Sequence, residues 1–345
     1  MGKFEVRYLS DNEIGSWDEF VDTCEYGSIF HKSTWIESLK QSDSFTNIDI
    51  IGCFNKDGEI LAGAILPWKP VLKTFKVVVL PYATSFSGIV IEERDSEFLS
   101  KKESYRFELL EALLGFMEKR YDSISVIFPP SFNDIRVFKW RNYDLEILYT
   151  YQGDLAEVRD NSFLPDIRRR IKKAEKLDYS IKNNMDDDHL RVVFDLISKS
   201  YKRQNHIFRF TKDAFFRFCK SDDLEDNILV YSIWKAHIPV SAIVILKDQD
   251  KAYYWIAGGD HTLFDTGLNQ LLLWKVIESL KSKGVRWLDL VGANTPSISR
   301  YKSGYNFDLQ PYYLVSKDTN PVFHILFTLK KTIQGILSKS KTISG

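Results

Sequence analysis

The order of predicted elements in this chain runs through twice, and that repeat limits the fold more than any single motif. In the first half, Trp17–Cys24 and Ser33–Leu39 have helical spacing, and Ile48–Phe54 and Ile60–Leu66 read as strands. Asn55-Lys56-Asp57-Gly58 joins the strands, and its Asp-Gly pair favours the positive φ of a tight hairpin. A third strand, Phe75–Leu80, precedes a helix whose Leu110, Leu113, Leu114 and Met117 fall at i, i+3, i+4, i+7. Strands at Ile124–Phe128 and Leu145–Tyr151 follow. In the second half, helices at Leu190–Tyr201 and Lys212–Cys219 lead into a hairpin of Asn227–Trp234 and Val240–Leu246. Strand Ala252–Ala257, helix Leu268–Lys283 and strands Trp287–Leu290 and Tyr312–Val315 complete the same order. A length of 345 residues suits two domains. The expectation is a duplicated α/β (α+β) unit, with domains at 1–152 and 153–320 and a tail of different composition at 321–345.

The second half holds the stretch richest in chemistry. Gly267 opens a helix whose Leu273, Val276, Ile277 and Leu280 mark one apolar face, and Gly284 ends it. Val285–Leu290 is a short apolar strand, and a polar loop carrying Lys302 follows. This order sets a helix N-terminus beside a strand end, a place suited to an anionic group. The apolar positions are core. The polar ones, Gly267, Asn269, Asp289, Asn294, Tyr301 and Lys302, are the candidates for function.

Lys plus Arg and Asp plus Glu number 47 each, so no global charge draws the chain to nucleic acid or membrane. The three cysteines are scattered with no CxxC pair, which points to a reducing, cytoplasmic setting. The first residues lack the apolar stretch of a secretory signal, and no run is long enough to span a bilayer. There is no GxxxxGK[ST] loop, GxSxG elbow or HExxH pair. Asp186-Asp187-Asp188-His189 reads as an acidic helix start rather than a metal cluster. No metal is expected.

Two segments remain open. Ile167 to Lys176 holds six basic residues in ten. It is either a solvated helix face between the domains or a patch for the phosphates of a nucleotide-sugar, a lipid diphosphate or RNA. After Pro321, apolar residues alternate with Lys330, Lys331, Lys339 and Lys341, and no acid follows Asp318. That suits either a helix in a membrane interface, on the inner face, or a helix docked on the protein.

Three stretches carry a family resemblance. Trp17-Asp18-Glu19-Phe20-Val21 is followed by Gly27-Ser28-Ile29-Phe30-His31-Lys32-Ser33-Thr34-Trp35. Arg169-Arg170-Ile171-Lys172-Lys173-Ala174 lies at the centre. Asp289-Leu290-Val291-Gly292-Ala293-Asn294, Ile298 and Tyr301-Lys302-Ser303-Gly304-Tyr305 close the pattern. In this order they resemble the FemAB-like, tandem-GNAT superfamily of N-acyltransferases over most of residues 1–320. Tyr301 stands where Phe is usual, and Asn306 where Gly is commoner. The acetyl-CoA loop of the family is reduced to Phe264-Asp265-Thr266-Gly267-Leu268-Asn269, with one Gly and no Arg or Gln.

The resemblance implies two tandem GNAT-like domains, each a mixed, mostly antiparallel sheet flanked by helices. It implies attack of an amine on an activated acyl carbonyl. The donor is acyl-CoA or, in a second reading, aminoacyl-tRNA, as in peptidoglycan bridge-forming relatives. The acceptor is a small-molecule or lipid-linked amino sugar or peptide of the cell envelope or a surface polysaccharide. A third reading is a non-catalytic module that keeps the cleft without the chemistry. Lys302 is expected to stabilise the oxyanion, with Asp289 and Tyr301 as catalytic partners. Thr266, Gly267, Leu268, Asn269, Trp255 and Asn294 are expected at the donor. Lys32, Trp35, Tyr82, Ser87, Arg203 and Arg209 are expected at the acceptor.

Overall fold

The computed structural model describes residues 4–40 and 47–329. The first half of the sequence forms β1 (Glu5–Tyr8), α1 (Ile14–Thr23), α2 (Ser33–Leu39), β2 (Asn47–Phe54), β3 (Ile60–Val71), β4 (Phe75–Val78), β5 (Ile89–Ile91), α3 (Leu99–Met117), β6 (Ser123–Ile127), α4 (Arg136–Trp140) and β7 (Asp144–Asp154). Next come α5 (Pro165–Ala174) and β8 (Tyr179–Lys182). The second half forms α6 (Asp187–Arg203), α7 (Lys212–Cys219), β9 (Ile228–Lys235), β10 (Ile238–Asp248), β11 (Lys251–Gly259), α8 (Leu268–Ser282), β12 (Trp287–Asp289), α9 (Pro296–Ser303) and β13 (Asp308–Asp318). A last helix, α10, covers 321–329, and the rest of the expected tail lies outside the described residues.

These elements divide into two units. In the first, the strand order is β1-β2-β3-β4-β6-β13, with β5 on β3. Among the described residues of this unit only β4 and β6 run parallel, and α3 is the crossover between them. In the second, the order is β7-β12-β11-β10-β9-β8, and among the described residues only β11 and β12 run parallel, with α8 between them. Each unit is thus an antiparallel sheet with one βαβ crossover, since parallel neighbours need a long connection and antiparallel ones do not.

The units are not the contiguous blocks 1–152 and 153–320. The halves of the sequence exchange their final strands. From β13, Leu314–Asp318 pairs with β6, so the chain from Tyr313 belongs to the first unit. From β7, Gln152–Asp154 pairs with β12, so the chain from Ile147 belongs to the second. The segment starting at Thr34 also belongs to the second unit, where the Trp35 ring meets Phe218 and Trp255 edge-on at 5.4 and 5.5 Å. Composition changes along the chain do not reveal such an exchange.

The crossover helices follow their apolar spacing. Leu110, Leu113, Leu114 and Met117 of α3 are fully buried in the first core, as are Leu273, Val276, Ile277 and Leu280 of α8 in the second. Each such side chain contributes roughly 1.5–3 kcal/mol of burial. Ile167, Ile171 and Ala174 turn one face of α5 into the second core and leave its basic side outward. Asp186 caps α6 by accepting from the His189 amide at 2.7 Å, so the acidic run is a helix start. The expected polar loop before Lys302 is instead α9. Pro296 begins it, with a φ already suited to a first helical turn.

Candidate functional site

The site is built on β11, α8 and β12 of the second unit. Strand β12 pairs with β11 only from Lys251↔Trp287 to Tyr253↔Asp289, while β11 continues to Gly259. Past Asp289 the chain follows β7 instead. The Leu290 amide donates to the Tyr151 carbonyl at 2.8 Å, and the Ala293 amide to Tyr149 at 2.6 Å. The parallel pair therefore separates at its carboxyl ends. Open α/β sheets take ligands at such separations, because two strand ends and a helix N-terminus converge there.

Asp289 and Lys302 hold the turn that follows β12. The Asp289 carboxylate is 3% exposed. Its Oδ1 accepts from Thr150 Oγ1 at 2.5 Å and from the Val291 amide at 2.6 Å, and its Oδ2 accepts from Gln152 Nε2 at 2.9 Å. Burial raises its pKa, against the pull of these donors and of Lys302. Lys302, 7% exposed, donates from Nζ to the carbonyls of Val291 and Gly292, the latter at 2.7 Å. Both residues sit at positive φ, 52° for Val291 and 66° for Gly292. A β-branched residue held there costs about 1–3 kcal/mol, so the turn persists through the groups that clamp it. Burial lowers the Lys302 pKa to about 8, with Asp289 opposing the shift. An ammonium has three donors, and two are taken, which leaves one for another acceptor. The Tyr254 ring of β11 lies 5.7 Å from Nζ.

Three tyrosines line the same region. The Tyr301 and Tyr305 hydroxyls are 3.2 Å apart. Burial raises all three pKa values, so each keeps its proton. Asn294 is exposed, and its Oδ1 accepts from the Tyr149 amide at 2.8 Å, tying the loop to β7.

The N-terminus of α8 is less open than its sequence implies. Gly267 caps it at φ 82° and packs against α5, where a Cβ would meet the Arg170 carbonyl oxygen at 2.3 Å. Its amide donates to the Phe264 carbonyl at 3.2 Å, and the Leu268 amide donates to Thr266 Oγ1 at 3.3 Å. Two of the three amides expected to face a donor are thus taken within the turn, and Thr266 is a capping residue. Leu268 itself is fully buried. The buried side-chain oxygens of Asn269 and Gln270 lack a partner, which makes them acceptors for a water or a ligand N–H. Beside this turn lies the basic face of α5, with Lys173 Nζ donating to the Asp265 carbonyl at 2.7 Å. Arg168, Arg169, Lys172, Lys173 and Lys176 line a hollow of about 490 Å³ there, with Pro165 at one end.

Residues 161–303, which contain all of α8, β12 and α9, match the family described as Acetyltransferase (GNAT) domain. The structure is similar over 90% of its length to 96% of FemX, at TM-score 0.66 and 13% identity. It is similar to a tandem GNAT protein from the clavulanic acid biosynthesis pathway at TM-score 0.51 and 11% identity, covering 92% of this chain and 99% of that one. The fold is the FemAB-like tandem GNAT fold. L-PGS from Bacillus licheniformis shares it at TM-score 0.53 and 12% identity, over 93% of this chain and 97% of that one. No curated protein matches the sequence. The paired βαβ units are thus two GNAT-like domains. The crossover helix of the second opens at Gly267, whereas α3 begins after Phe98.

The remaining candidates fall on both GNAT units. In the second, Arg203 reaches the site, donating to the Gly259 carbonyl at 3.3 Å with its guanidinium 5.5 Å from the Phe264 ring. Arg209 is exposed on the loop before α7. Trp35 and Trp255 are core: both are buried, Trp35 meets Phe218 and Trp255 edge-on, and Trp255 also packs against Phe210 and Phe218. Large aromatic area favours that burial over a ligand contact. In the first unit, Lys32 pairs with Asp22 at 2.6 Å, Tyr82 is half-buried on the β4–β5 connection, and Ser87 is buried. Sequence reading missed Thr150, Gln152, Tyr254 and Tyr305. Strand alternation was the available signal for Tyr254, because it places Tyr254 and Trp255 on opposite faces of β11.

Proposed function

We propose that this protein is an N-acyltransferase that moves an acyl group from an activated donor to an amine acceptor at the carboxyl ends of β11 and β12. The observation that carries this reading is Lys302, a buried cation with one uncommitted N–H where the parallel strands part. A neutral amine attacks the donor carbonyl, and its oxygen takes up negative charge. The Lys302 N–H donates to that oxygen, and one such donor in a dry site is worth roughly 3 kcal/mol. As the bond to the leaving group breaks, Tyr301, which burial keeps protonated, supplies a proton to the leaving atom and regains one from solvent. The amine proton leaves to solvent or a base. Asp289, with three donors already around it, positions the turn rather than accepting that proton. Arg203 and Asn294 border the acceptor and donor sides.

Acyl-CoA is the first donor reading. Asn269 and Gln270 oxygens would take N–H groups of the donor, and α5 lysines its phosphates. Aminoacyl-tRNA is the second reading, favoured by the length of the basic α5 face and by the amides already taken at Gly267 and Leu268. The acceptor class is a small-molecule or lipid-linked amino sugar or peptide of the cell envelope. The test is transfer from acyl-CoA, followed by thiol release, and from charged tRNA, followed by label in the product, each with amino-sugar and peptide acceptors. Transfer with neither donor, alongside tight binding of one, would leave the non-catalytic reading. Binding distinguishes the donors. Reversing Arg168, Lys172 and Lys176 to Glu removes salt-dependent RNA binding if RNA is the donor.

A further inference from the structure

We infer that Thr150 and Gln152 of β7 are positioning residues: by holding the Asp289 carboxylate they aim the Lys302 ammonium and keep it charged. The inference deepens the acyl-transfer reading and rests on it for its catalytic consequence. Strand β7 runs antiparallel to β12 with Gln152 opposite Asp289. Residues opposite each other in such a pair share one side of the sheet, and alternation puts Thr150 on that side too. Both side chains therefore meet the same carboxylate, Thr150 at Oδ1 and Gln152 at Oδ2. Between them, Tyr151 Oη lies 3.2 Å from Ser299 Oγ of α9, the helix that carries Lys302. One short run of β7 thus touches both the carboxylate and the helix of the cation.

The groups bonded to Asp289 all donate to it. An ionised carboxylate only accepts, so it satisfies every one of them, whereas a protonated carboxyl has a hydrogen of its own to place. Burial acts the other way and raises its pKa. Thr150 and Gln152 therefore tip a buried acid toward its anion. Two consequences reach Lys302. The Oδ1 that Thr150 holds also accepts from the Val291 amide, and this fixes the positive-φ turn whose carbonyls receive Nζ. The anion also opposes the loss of the Lys302 proton, which burial favours. Tyr254 of β11 and Tyr301 and Tyr305 of α9 keep their protons, so the charge acting on Lys302 is that of Asp289. When a β7 donor is removed, Asp289 takes up a proton more readily and Lys302 gives one up more readily.

The experiment is trace labelling of the full chain with acetic anhydride across a pH series, with the labelled Lys302 peptide counted by mass spectrometry. An amine reacts only when neutral, so the midpoint reports the charge on Lys302 and needs no transfer activity. In the parent the midpoint is expected at about 8. In Thr150→Val and in Gln152→Leu it is expected to fall by about one pH unit, the order of one hydrogen bond to a charge. Thr150→Ser keeps the hydroxyl and is expected to restore it. With acyl transfer as the readout, the alkaline limb of kcat moves with the midpoint while the donor KM holds. Gln152 is half-buried, so its variant carries the test should Thr150→Val fail to fold. A midpoint unchanged in the folded variants overturns the inference. So does faster labelling at every pH alike, which marks a loosened fold, or a Thr150→Ser that behaves as Thr150→Val. A shifted midpoint in a protein that transfers no acyl group supports the hold on Lys302 and sinks the acyl-transfer reading alone.

Discussion

Lys302 is asked to do two things, and they are separable. It clamps the Val291–Gly292 turn through two carbonyls, and it offers a third N–H to a reacting oxygen. Lys302→Ala removes both. Turnover is expected to fall by roughly 100-fold while donor affinity changes little, because the lost donor matters most when the oxyanion forms. The charge gives a pH signature. With the pKa near 8, Lys302 loses its proton above that value, so the rate of acyl transfer is expected to decline there. A rate that keeps rising through pH 9, with the amine acceptor ever more deprotonated, would remove Lys302 from the mechanism. His189 gives a second residue-scale prediction. Its Nδ1 lies 2.8 Å from the Asn184 carbonyl and its Nε2 2.7 Å from Ser232 Oγ, which itself accepts from Trp234 Nε1 at 2.8 Å. Burial lowers its pKa below 6.5. The folded state thus binds this proton less readily than the unfolded one. Stability is full above the unfolded value and is lost as pH falls through the folded one. Urea titrations from pH 7.5 downward should show the loss, and His189→Gln should flatten it.

At the scale of elements, Gly267 links α8 to α5. A side chain there is strained at φ 82° and collides with the Arg170 carbonyl. Gly267→Ala is expected to cost about 2–4 kcal/mol, seen as a lower urea midpoint. An alanine variant as stable as the parent would mean that α5 slides aside easily. How far sequence reveals such elements depends on what defines them. The crossover helices and hairpins were legible, because apolar spacing and an Asp-Gly turn are local signals. The helix α9 was not, because its buried residue is Lys302 and no apolar stripe marks it. Trp35 and Trp255 pack in an aromatic cluster, and residue type alone does not distinguish a core indole from one that holds a ligand. Thr150 and Gln152 were missed because they are 139 and 137 residues from the carboxylate they serve, a proximity only β7–β12 pairing creates.

For the whole molecule, the exchanged strands decide what can be cut. A fragment of residues 153–320 follows the apparent sequence boundary, yet it lacks most of β7 and all of Trp35. It loses Thr150 and Gln152 from Asp289, and an aromatic wedge from the second core. It is expected to give no cooperative thermal transition, whereas the full chain does. A sharp transition in that fragment would show that β7 is dispensable. The same exchange sets an order in time. Residues 314–318, which cover the β6 edge, leave the ribosome long after β6 itself, because Asp318 follows Ser123 by 195 residues. In that interval the first unit carries a bare strand edge, the kind that captures other chains. Nascent chains of this protein should depend on holding chaperones until the final strand emerges.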